Sequence, residues 1–245
     1  MKLLTWNIQA GIGTRRYRDY LLHAHRQVIH TAAKNAVLGQ IAREVTPFDV
    51  VCLQEVDLGG RRAGYRSQVE AIAEASGHAH SAVQQNRVVP GVSRHGNAIL
   101  SRWPLRLVED IKLPGRLAGR GCLIVDVEGP PEWATPLRVA CLHLSLGAAD
   151  QMAQLEVIRA TLEQAPNWVA MGDFNCGADS RPLTGFCRRA GAGLAQVSPR
   201  TYPSWRPRRD FDHILGSQGL KLGDYRAEPL ALSDHLPVAA SLFAG

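Results

Sequence analysis

The feature that most constrains the fold of this chain is a series of short apolar segments that recur along the whole sequence. Runs such as DVVCLQ and VACLHLS have the length and the apolar, β-branched character of buried strands. Because strands must pair, a chain with many such runs is built around one or more sheets. On this pattern we predict strands at residues 2–8, 49–54, 97–101, 122–127, 137–144, 168–172, 212–215 and 238–243.

Helices are predicted between some of these strands. An apolar stripe at helical spacing marks residues 31–45. Residues 67–76 open with the capping box of Ser67 and Glu70 and stop at a glycine. A third helix is predicted at 150–164, with Asp150 as its N-cap.

The arrangement of these elements predicts the fold class. Strands outnumber helices and the two alternate irregularly, which favours an α/β protein with mixed sheets covered by helices over a regular parallel barrel. The chain shows no internal repeat, low-complexity tract or linker. We therefore expect residues 1–245 to form a single domain.

Charge and cysteine content narrow the setting in which the protein acts. The net charge of +6 and the isoelectric point near 9.3 favour anionic partners, although a basic surface without a specific role is the plainer alternative. The five cysteines are odd in number and lack CxxC spacing, and three lie in strand-like runs. A reducing cytoplasmic location is expected, because the sequence shows neither a signal peptide nor an apolar run of membrane-spanning length.

Polar residues cluster where predicted strands end. Asn7, Glu55, His143 and Asp173 each follow or close an apolar run. Ligands of α/β sheets bind outside the carboxyl ends of the strands. The sequence SDHLP precedes the last strand and reaches the same edge if that strand is antiparallel. These side chains are therefore predicted to converge on one site.

The residue types suit phosphodiester chemistry. Glu55 provides the carboxylate that a hard cation such as Mg²⁺ prefers, and histidine and asparagine side chains provide proton transfer and contacts to phosphate oxygens. Each residue also has an ordinary explanation, because Glu55 could be a solvated strand end and His143 a satisfied core histidine. Their joint occurrence at strand ends favours a site.

An ordered set of motifs resembles the endonuclease/exonuclease/phosphatase superfamily, which includes deoxyribonuclease I. The motifs are TWNIQ at 5–9, LQEV at 53–56, GNAILSR at 96–102, LHLS at 142–145, GDFN at 172–175, FDHIL at 211–215 and SDHLP at 233–237. The resemblance spans almost the whole chain. It implies a four-layer α/β sandwich, in which two mixed sheets pack face to face with helices outside. It also implies a Mg²⁺-dependent phosphoester hydrolase, with Mn²⁺ as a substitute.

The resemblance assigns roles by motif position. Glu55 is expected to be the principal metal ligand, with Asn7 beside the metal, and Asp234 is expected to bind a second metal or orient a neighbour. The expected catalytic residues are His143, Asp173, Asn175, Asp212 and His235, where Asp173 activates water and Asp212 pairs with His235. Asn97, Arg120 and Trp205 are predicted to contact substrate. Gln9 departs from the pattern, because some nucleases of the superfamily carry an acidic residue there.

Nucleic acid is the favoured substrate. The basic stretch 15–34 and the run TYPSWRPRRD at 201–210 suit a phosphate backbone, although the first is equally well a solvated helix face. That stretch is predicted to be partly helical, because Tyr20, Ala24 and Val28 fall on one stripe. Trp205 is either a base-stacking residue or a packing aromatic.

A phospholipid or phosphoinositide substrate is the alternative to nucleic acid, and a small phosphorylated metabolite is a third possibility. A binding module without catalysis is disfavoured, because the catalytic set is complete. A monomer is expected.

Overall fold

The computed structural model describes residues 1–130, 133–193 and 198–244. Its strands are β1 Lys2–Asn7, β2 Val50–Asp57, β3 His80–Val89, β4 Ser93–Ser101, β5 Leu105–Lys112, β6 Gly121–Val127, β7 Leu137–His143, β8 Trp168–Asp173, β9 Ala192–Gly193, β10 Asp212–Ser217, β11 Leu220–Ala227 and β12 Val238–Ala244. Its α-helices are α1 Asp19–Leu22, α2 Ala32–Val45, α3 Gln68–Ser76, α4 Ala148–Leu162 and α5 Arg181–Ala190. None of the described helices is both long and apolar enough to cross a bilayer.

The strands form two six-stranded mixed sheets. The first has the order β11-β12-β1-β2-β4-β3 and the second has the order β5-β6-β7-β8-β10-β9. One apolar cluster, which includes Cys52, Cys141, Met171 and Ile214, draws side chains from both sheets and fills the space between them. The predicted fold, two mixed sheets packed face to face, is confirmed.

Two further apolar clusters attach the outer helices. Ile41 of α2 and Ile72 of α3 pack with the first sheet, and Leu155 of α4 and Phe186 of α5 pack with the second. The order from one side to the other is therefore helices, sheet, sheet, helices. Cys52, Cys122 and Cys141 are buried free thiols inside strands, as the sequence predicts.

Two predictions at the element level are wrong, namely the N-cap of α4 and the single helical stripe in 15–34, although that segment is partly helical as predicted. The N-cap of α4 is Gly147, and Asp150 lies in the first helical turn, where its carboxylate accepts from the Arg116 backbone N–H. The helical stripe in 15–34 is not a continuous helix, because α1 has only four residues before a 3-10 turn. Val28, placed on that stripe, is 45% exposed.

Five elements were missed by the strand and helix predictions, among them the two-residue edge strand β9. β3, β5 and β11 lie at or near sheet edges and are largely exposed, so their sequences lack continuous apolar runs. α5 has few apolar residues, although Ser180 caps it and Pro182 stands in its first turn. Exposed edges and polar helices carry little of the hydrophobic periodicity on which sequence prediction depends.

Strand direction brings the polar strand ends to one edge of the molecule. β1 and β2 are parallel, and β12 runs antiparallel to β1, so the loop before β12 lies beside the ends of β1 and β2. In the second sheet β7 and β8 are parallel, and β10 begins beside the end of β8. The register sets His143 beside Asp173 and Asp173 beside Asp212.

Gly172 makes this register possible. Its φ is +156°, and a Cβ built there would lie 2.0 Å from the Leu142 carbonyl oxygen of the neighbouring strand. Only glycine lets the two backbones approach so closely just before Asp173.

Candidate active site

Asp173 is the centre of the predicted site. Its Oδ2 accepts from Asn7 Nδ2 at 3.1 Å and lies 3.3 Å from His143 Nε2 and 3.8 Å from His235 Nε2. Its Oδ1 accepts from the Asn175 backbone N–H at 3.0 Å. Burial raises the pKa of Asp173 to about 7, with the nearby charge of Asp212 adding to the rise and His235 opposing it. The structure thus brings residues of both sheets to one carboxylate.

His235 and Asp212 form the predicted pair. His235 Nδ1 lies 2.8 Å from Asp212 Oδ2, and both side chains are buried. Thr201 Oγ1 donates to the same carboxylate oxygen. Burial alone would lower the pKa of His235, but the negative charges of Asp212 and Asp173 outweigh it and hold that pKa well above its usual value. The imidazole is therefore protonated at neutral pH and presents Nε2–H toward Asp173.

His143 is buried beside a cation. Arg120 Nη1 lies 2.9 Å from His143 Nε2, and the side chain of His143 is 4% exposed. Burial, together with the positive charges of Arg120 and His235, lowers the pKa of His143 well below its usual value. The two histidines of the site therefore carry different charges at the same pH, one neutral and one positive.

Glu55 stands on a distorted part of β2. The pairing with β4 shifts register between Leu53 and Val56, and Glu55 has φ +56°. This turns its half-buried carboxylate toward the site. Burial and the nearby charge of Asp234 raise the pKa of Glu55, while His235 lowers it. Asn175, at φ +52°, is strained in the same way, and such strain is typical of functional sites.

Asp234 lies in a network that the sequence did not indicate. Its Oδ2 accepts from Gln9 Nε2 at 3.1 Å and from the Tyr20 hydroxyl at 2.8 Å. Ser233 Oγ lies 3.1 Å from its Oδ1 and donates to the Asn7 carbonyl oxygen at 2.7 Å. The two contacts from Gln9 and Tyr20 both go to Oδ2, and the two alternatives for Asp234, binding a second metal or orienting a neighbour, both stay predictions.

The donor set fits a hard divalent cation. The side chains of Glu55, Asn7 and Asp173 offer oxygen ligands at one edge of the sheets, and Mg²⁺ prefers oxygen. Two buried acceptors, Gln9 Oε1 and Asp212 Oδ1, have no donor among the described residues. Buried acceptors without donors are costly, and a cation with its bound waters would remove that cost. One potential ligand atom from each of Asp173, Asp212 and His235 also lies within 4.8 Å of the other two. Asp212 and His235 are already paired with each other, so they are less suited to hold the cation.

The three predicted substrate residues differ in position. Asn97 is fully buried, and its amide nitrogen donates to Gln84 Oε1 and to the Gly121 carbonyl oxygen, each at 3.1 Å. Asn97 and Arg120 line one cavity beside Glu55. Trp205 is half-buried with its ring edge-on to Tyr17 at 5.1 Å and to Tyr20 at 6.2 Å. Packing therefore accounts for Trp205 at least as well as base stacking does.

Asn175 is held by the backbone in this arrangement. Its Nδ2 donates to the Leu144 carbonyl oxygen at 2.9 Å, which places the amide beside Asp173 and leaves its second N–H for a ligand.

Two tyrosines also contact site residues. Tyr202, which the sequence did not single out, lies over His235 with ring centroids 4.9 Å apart. Tyr20 was predicted only as part of a helical stripe and Tyr202 only as part of the run 201–210, and neither sequence pattern assigns a tyrosine to the site.

Known proteins resemble this chain in sequence or in fold along nearly its whole length. The protein YbhP of Escherichia coli K12, described as uncharacterised, is 29% identical over 98% of this chain and 95% of its own length. An endonuclease/exonuclease/phosphatase from Beutenbergia cavernae superposes with a TM-score of 0.73 at 21% identity, over 100% of this chain and 72% of that chain. A mannosyl-6-phosphatase from Bacteroides thetaiotaomicron superposes with a TM-score of 0.74 at 14% identity, over 99% of both chains.

The profile of one family covers nearly the whole sequence. It matches residues 4–235, which include every motif from TWNIQ to the histidine of SDHLP. The two structural neighbours, at 21% and 14% identity, support the fold. The chain belongs to the endonuclease/exonuclease/phosphatase family.

Proposed function

We propose that this chain is a Mg²⁺-dependent phosphodiesterase that cuts DNA or RNA. The observation that carries the proposal is the meeting of Asp173, His143 and the Asp212–His235 pair at one edge of the two sheets. This arrangement provides a carboxylate to accept a proton, a protonated imidazole to donate one, and a second imidazole beside an arginine. General acid–base catalysis of this kind contributes about 10²- to 10⁴-fold to a rate.

The proton transfers follow from the pairings. Asp173 accepts a proton from the attacking water, with its Oδ2 3.3 Å from His143 Nε2 and 3.8 Å from His235 Nε2. His235, held protonated by Asp212, offers Nε2–H to a phosphate oxygen. Arg120 offsets the negative charge that builds on the phosphate, and the neutral His143 beside it contacts a phosphate oxygen as a hydrogen-bond donor. Asn7 holds the Asp173 carboxylate in place across the two sheets.

A divalent cation would bind at Glu55 and Asn7, with Asp234 orienting the residues around it through Gln9. When bound, Mg²⁺ polarises phosphoryl oxygens and lowers the pKa of its waters. Glu55 suits this role because burial and the nearby charge of Asp234 raise its pKa, and a bound cation would stabilise its charged form. Removal of the cation by EDTA is expected to abolish activity.

Positive charge on both flanks supports a polyanionic substrate. On one flank, Arg15, Arg16 and Arg18 are exposed on the segment that Tyr20 ties to Asp234. On the other flank, Arg87 lines the cavity beside Glu55, and Arg116 lies on the loop between β5 and β6 that forms part of its wall. A phosphate backbone that extends past the site in both directions would contact both groups, and its binding would weaken with added salt.

One observation favours an anionic lipid as a second candidate. The segment with the arginines also exposes large apolar side chains, namely Tyr17 at 67%, Leu21 at 84% and Leu22 at 62%. Apolar side chains beside arginines suit the interface of an anionic bilayer. A phospholipid or phosphoinositide substrate would then be presented to the site by this segment.

A hydrolysis panel tests these proposals. Purified protein is assayed with Mg²⁺, Mn²⁺ or EDTA on single- and double-stranded DNA, RNA, anionic phospholipid vesicles, hexose phosphates and bis-p-nitrophenyl phosphate. We expect metal-dependent cutting of nucleic acid that is lost in His235→Ala. Hydrolysis of lipid alone would move the substrate to the second candidate, and no hydrolysis of any phosphoester would refute the enzymatic proposal.

The setting of the enzyme is part of the proposal. The five cysteines are free thiols, and four of them are buried, which suits a reducing compartment such as the cytoplasm. We propose that the chain acts as a single-domain monomer. Gel filtration with light scattering would test the monomer, and fractionation of cells that carry a tagged chain would test the compartment.

A further inference from the structure

A cavity of about 210 Å³ opens beside Glu55 and His143. Its walls come from the β3–β4 hairpin and from residues 117–120 of the loop between β5 and β6. The cavity is smaller than those that enclose a whole organic ligand, which are about 300–1,000 Å³, so it suits one part of a substrate. The proton transfers at Asp173 leave most of its lining without a role.

Two arginines, Arg87 and Arg120, line the cavity together with the carboxylate of Glu55. Among residues 1–130, 133–193 and 198–244, neither Arg87 nor Arg120 makes an ion pair. Arg120 Nε is buried and has no acceptor in that part of the chain. A buried N–H without an acceptor is costly. An anionic group bound in the cavity would accept from Arg120 Nε and remove that cost.

His95 adds a neutral donor whose tautomer is fixed by its neighbour. Arg62 Nη2 lies 3.0 Å from His95 Nδ1, and a guanidinium can only donate, so Nδ1 accepts and the ring proton is on Nε2. Arg62 is itself fixed, because its Nε lies 2.5 Å from buried Asp57. Burial and the charge of Arg62 lower the pKa of His95 to about 4, so the ring stays neutral. His95 lines the cavity and has Nε2–H to offer there.

Two amide oxygens complete the lining. Asn86 Oδ1 and Asn97 Oδ1 are buried and have no donor among the described residues. They can accept from hydroxyl groups, whereas the arginines and His95 donate to oxygens that carry charge. The set therefore matches a phosphoryl group attached to a hydroxyl-bearing unit such as a sugar.

We propose that this cavity binds a second phosphoryl group of the substrate, beside the phosphoester that is cut. The inference rests on the proposed hydrolase function and deepens it, because it makes a doubly phosphorylated substrate preferred over a singly phosphorylated one. The second phosphoryl group can come from the phosphorylated end of a nucleic-acid strand or from a small bisphosphate, since the cavity reads the same chemistry in both.

Direct binding tests the inference apart from catalysis. Calorimetric titrations of the His235→Ala protein in Mg²⁺ compare thymidine 3′,5′-bisphosphate with thymidine 3′- and 5′-monophosphate, so that the probes stay intact. We expect the bisphosphate to bind at least about tenfold more tightly than either monophosphate, which corresponds to about 1.4 kcal/mol. Equal affinities for all three probes would overturn the inference.

A matched pair of variants locates the effect. Arg87→Gln removes one of the two unpaired arginines, while Arg94→Gln removes an exposed charge on the adjoining strand, where Arg94 contacts Gln85 outside the cavity. Added to the His235→Ala protein, Arg87→Gln should erase most of the bisphosphate advantage and Arg94→Gln should preserve it. Equal losses from both would show general electrostatics instead and would contradict a built cavity. Thermal melts of each variant establish that it is folded.

A second arm identifies the source of the phosphoryl group. Oligodeoxynucleotides with a 5′-phosphate and with a 5′-hydroxyl are titrated under the same conditions. An Arg87-dependent advantage for the phosphorylated strand assigns the cavity to nucleic-acid ends, and an advantage confined to thymidine 3′,5′-bisphosphate assigns it to small bisphosphates. Hydrolysis by the wild-type chain is scored separately, so a failure of the proposed function leaves these binding results readable.

Discussion

The Asp212–His235 pair makes a quantitative prediction about coupling. Asp212→Asn keeps the shape of the side chain but removes the charge that His235 Nδ1 contacts at 2.8 Å. A hydrogen bond to a charged group is worth about 1.5–3 kcal/mol, so this change alone should lower kcat/KM roughly 10- to 150-fold. His235→Ala removes the proton donor itself and should cost about 10²- to 10⁴-fold.

The double variant decides whether the two residues act as a unit. If they acted independently, the losses would multiply to roughly 10³- to 10⁶-fold. We expect the double variant to lose no more than His235→Ala alone, because Asp212 works only through His235. Asp210→Asn is the control, since the Asp210 carboxylate accepts from the Ala178 backbone N–H and contacts neither catalytic residue.

The assay is metal-dependent hydrolysis of bis-p-nitrophenyl phosphate by the wild-type chain and the four variants, with unfolding in urea as a check on folding. The reasoning is refuted if the Asp212 and His235 losses multiply, or if Asp210→Asn loses as much activity as Asp212→Asn. A third result, full activity of Asp212→Asn, would show that the charge on this carboxylate is unnecessary.

Three further predictions concern the metal, the close approach of β7 and β8 at Gly172, and the buried Lys34. Glu55→Gln should raise the Mg²⁺ concentration for half-maximal rate at least about tenfold, as measured by metal titration of hydrolysis. Gly172→Ala should lower the free energy of unfolding by more than about 2 kcal/mol in urea, because its Cβ meets the Leu142 carbonyl oxygen, whereas Gly39→Ala has open space and should not. Burial and the charge of Arg62 lower the pKa of Lys34 from 10.5 to about 8 in the folded protein. Between pH 8 and 10.5 the unfolded chain therefore binds more protons than the folded one. The free energy of unfolding should rise with pH across that window. Lys34→Met should remove this rise, and parallel slopes for the two proteins between pH 8 and 10.5 would contradict it.

Much of the fold could be predicted from the sequence, because the central strands are continuous apolar runs. Cys52 and Cys141 lie in such runs, and both strands were predicted close to their observed bounds. The edge strands could not be predicted in this way, since half-exposed residues such as Val83 and Leu107 alternate with polar ones. Burial on both faces leaves a strong trace in sequence, and burial on one face leaves a weak one.

The candidate site divides along similar lines. The positions of Asn7, His143 and Asp173 at strand ends could be predicted from local sequence, and the pairing of Asp212 with His235 came from the resemblance to a family. The contacts of Asp234 with Gln9 and Tyr20 could not be predicted, because they join residues more than 200 positions apart and follow no periodicity. Such contacts depend on how loops are packed after the sheets have formed.

The hydrogen bond between Asn7 and Asp173 joins the end of a strand in one sheet to the end of a strand in the other. Any ligand held by Glu55 and Asp173 would bridge the same two sheets and hold them against separation. Binding energy at this edge would then appear as resistance to denaturation of the whole molecule. A ligand at 100 times its Kd would add about 2.7 kcal/mol to the free energy of unfolding. The unliganded protein would accordingly be the form most open to proteolysis, and its supply of cation and phosphoester would set its lifetime as well as its rate.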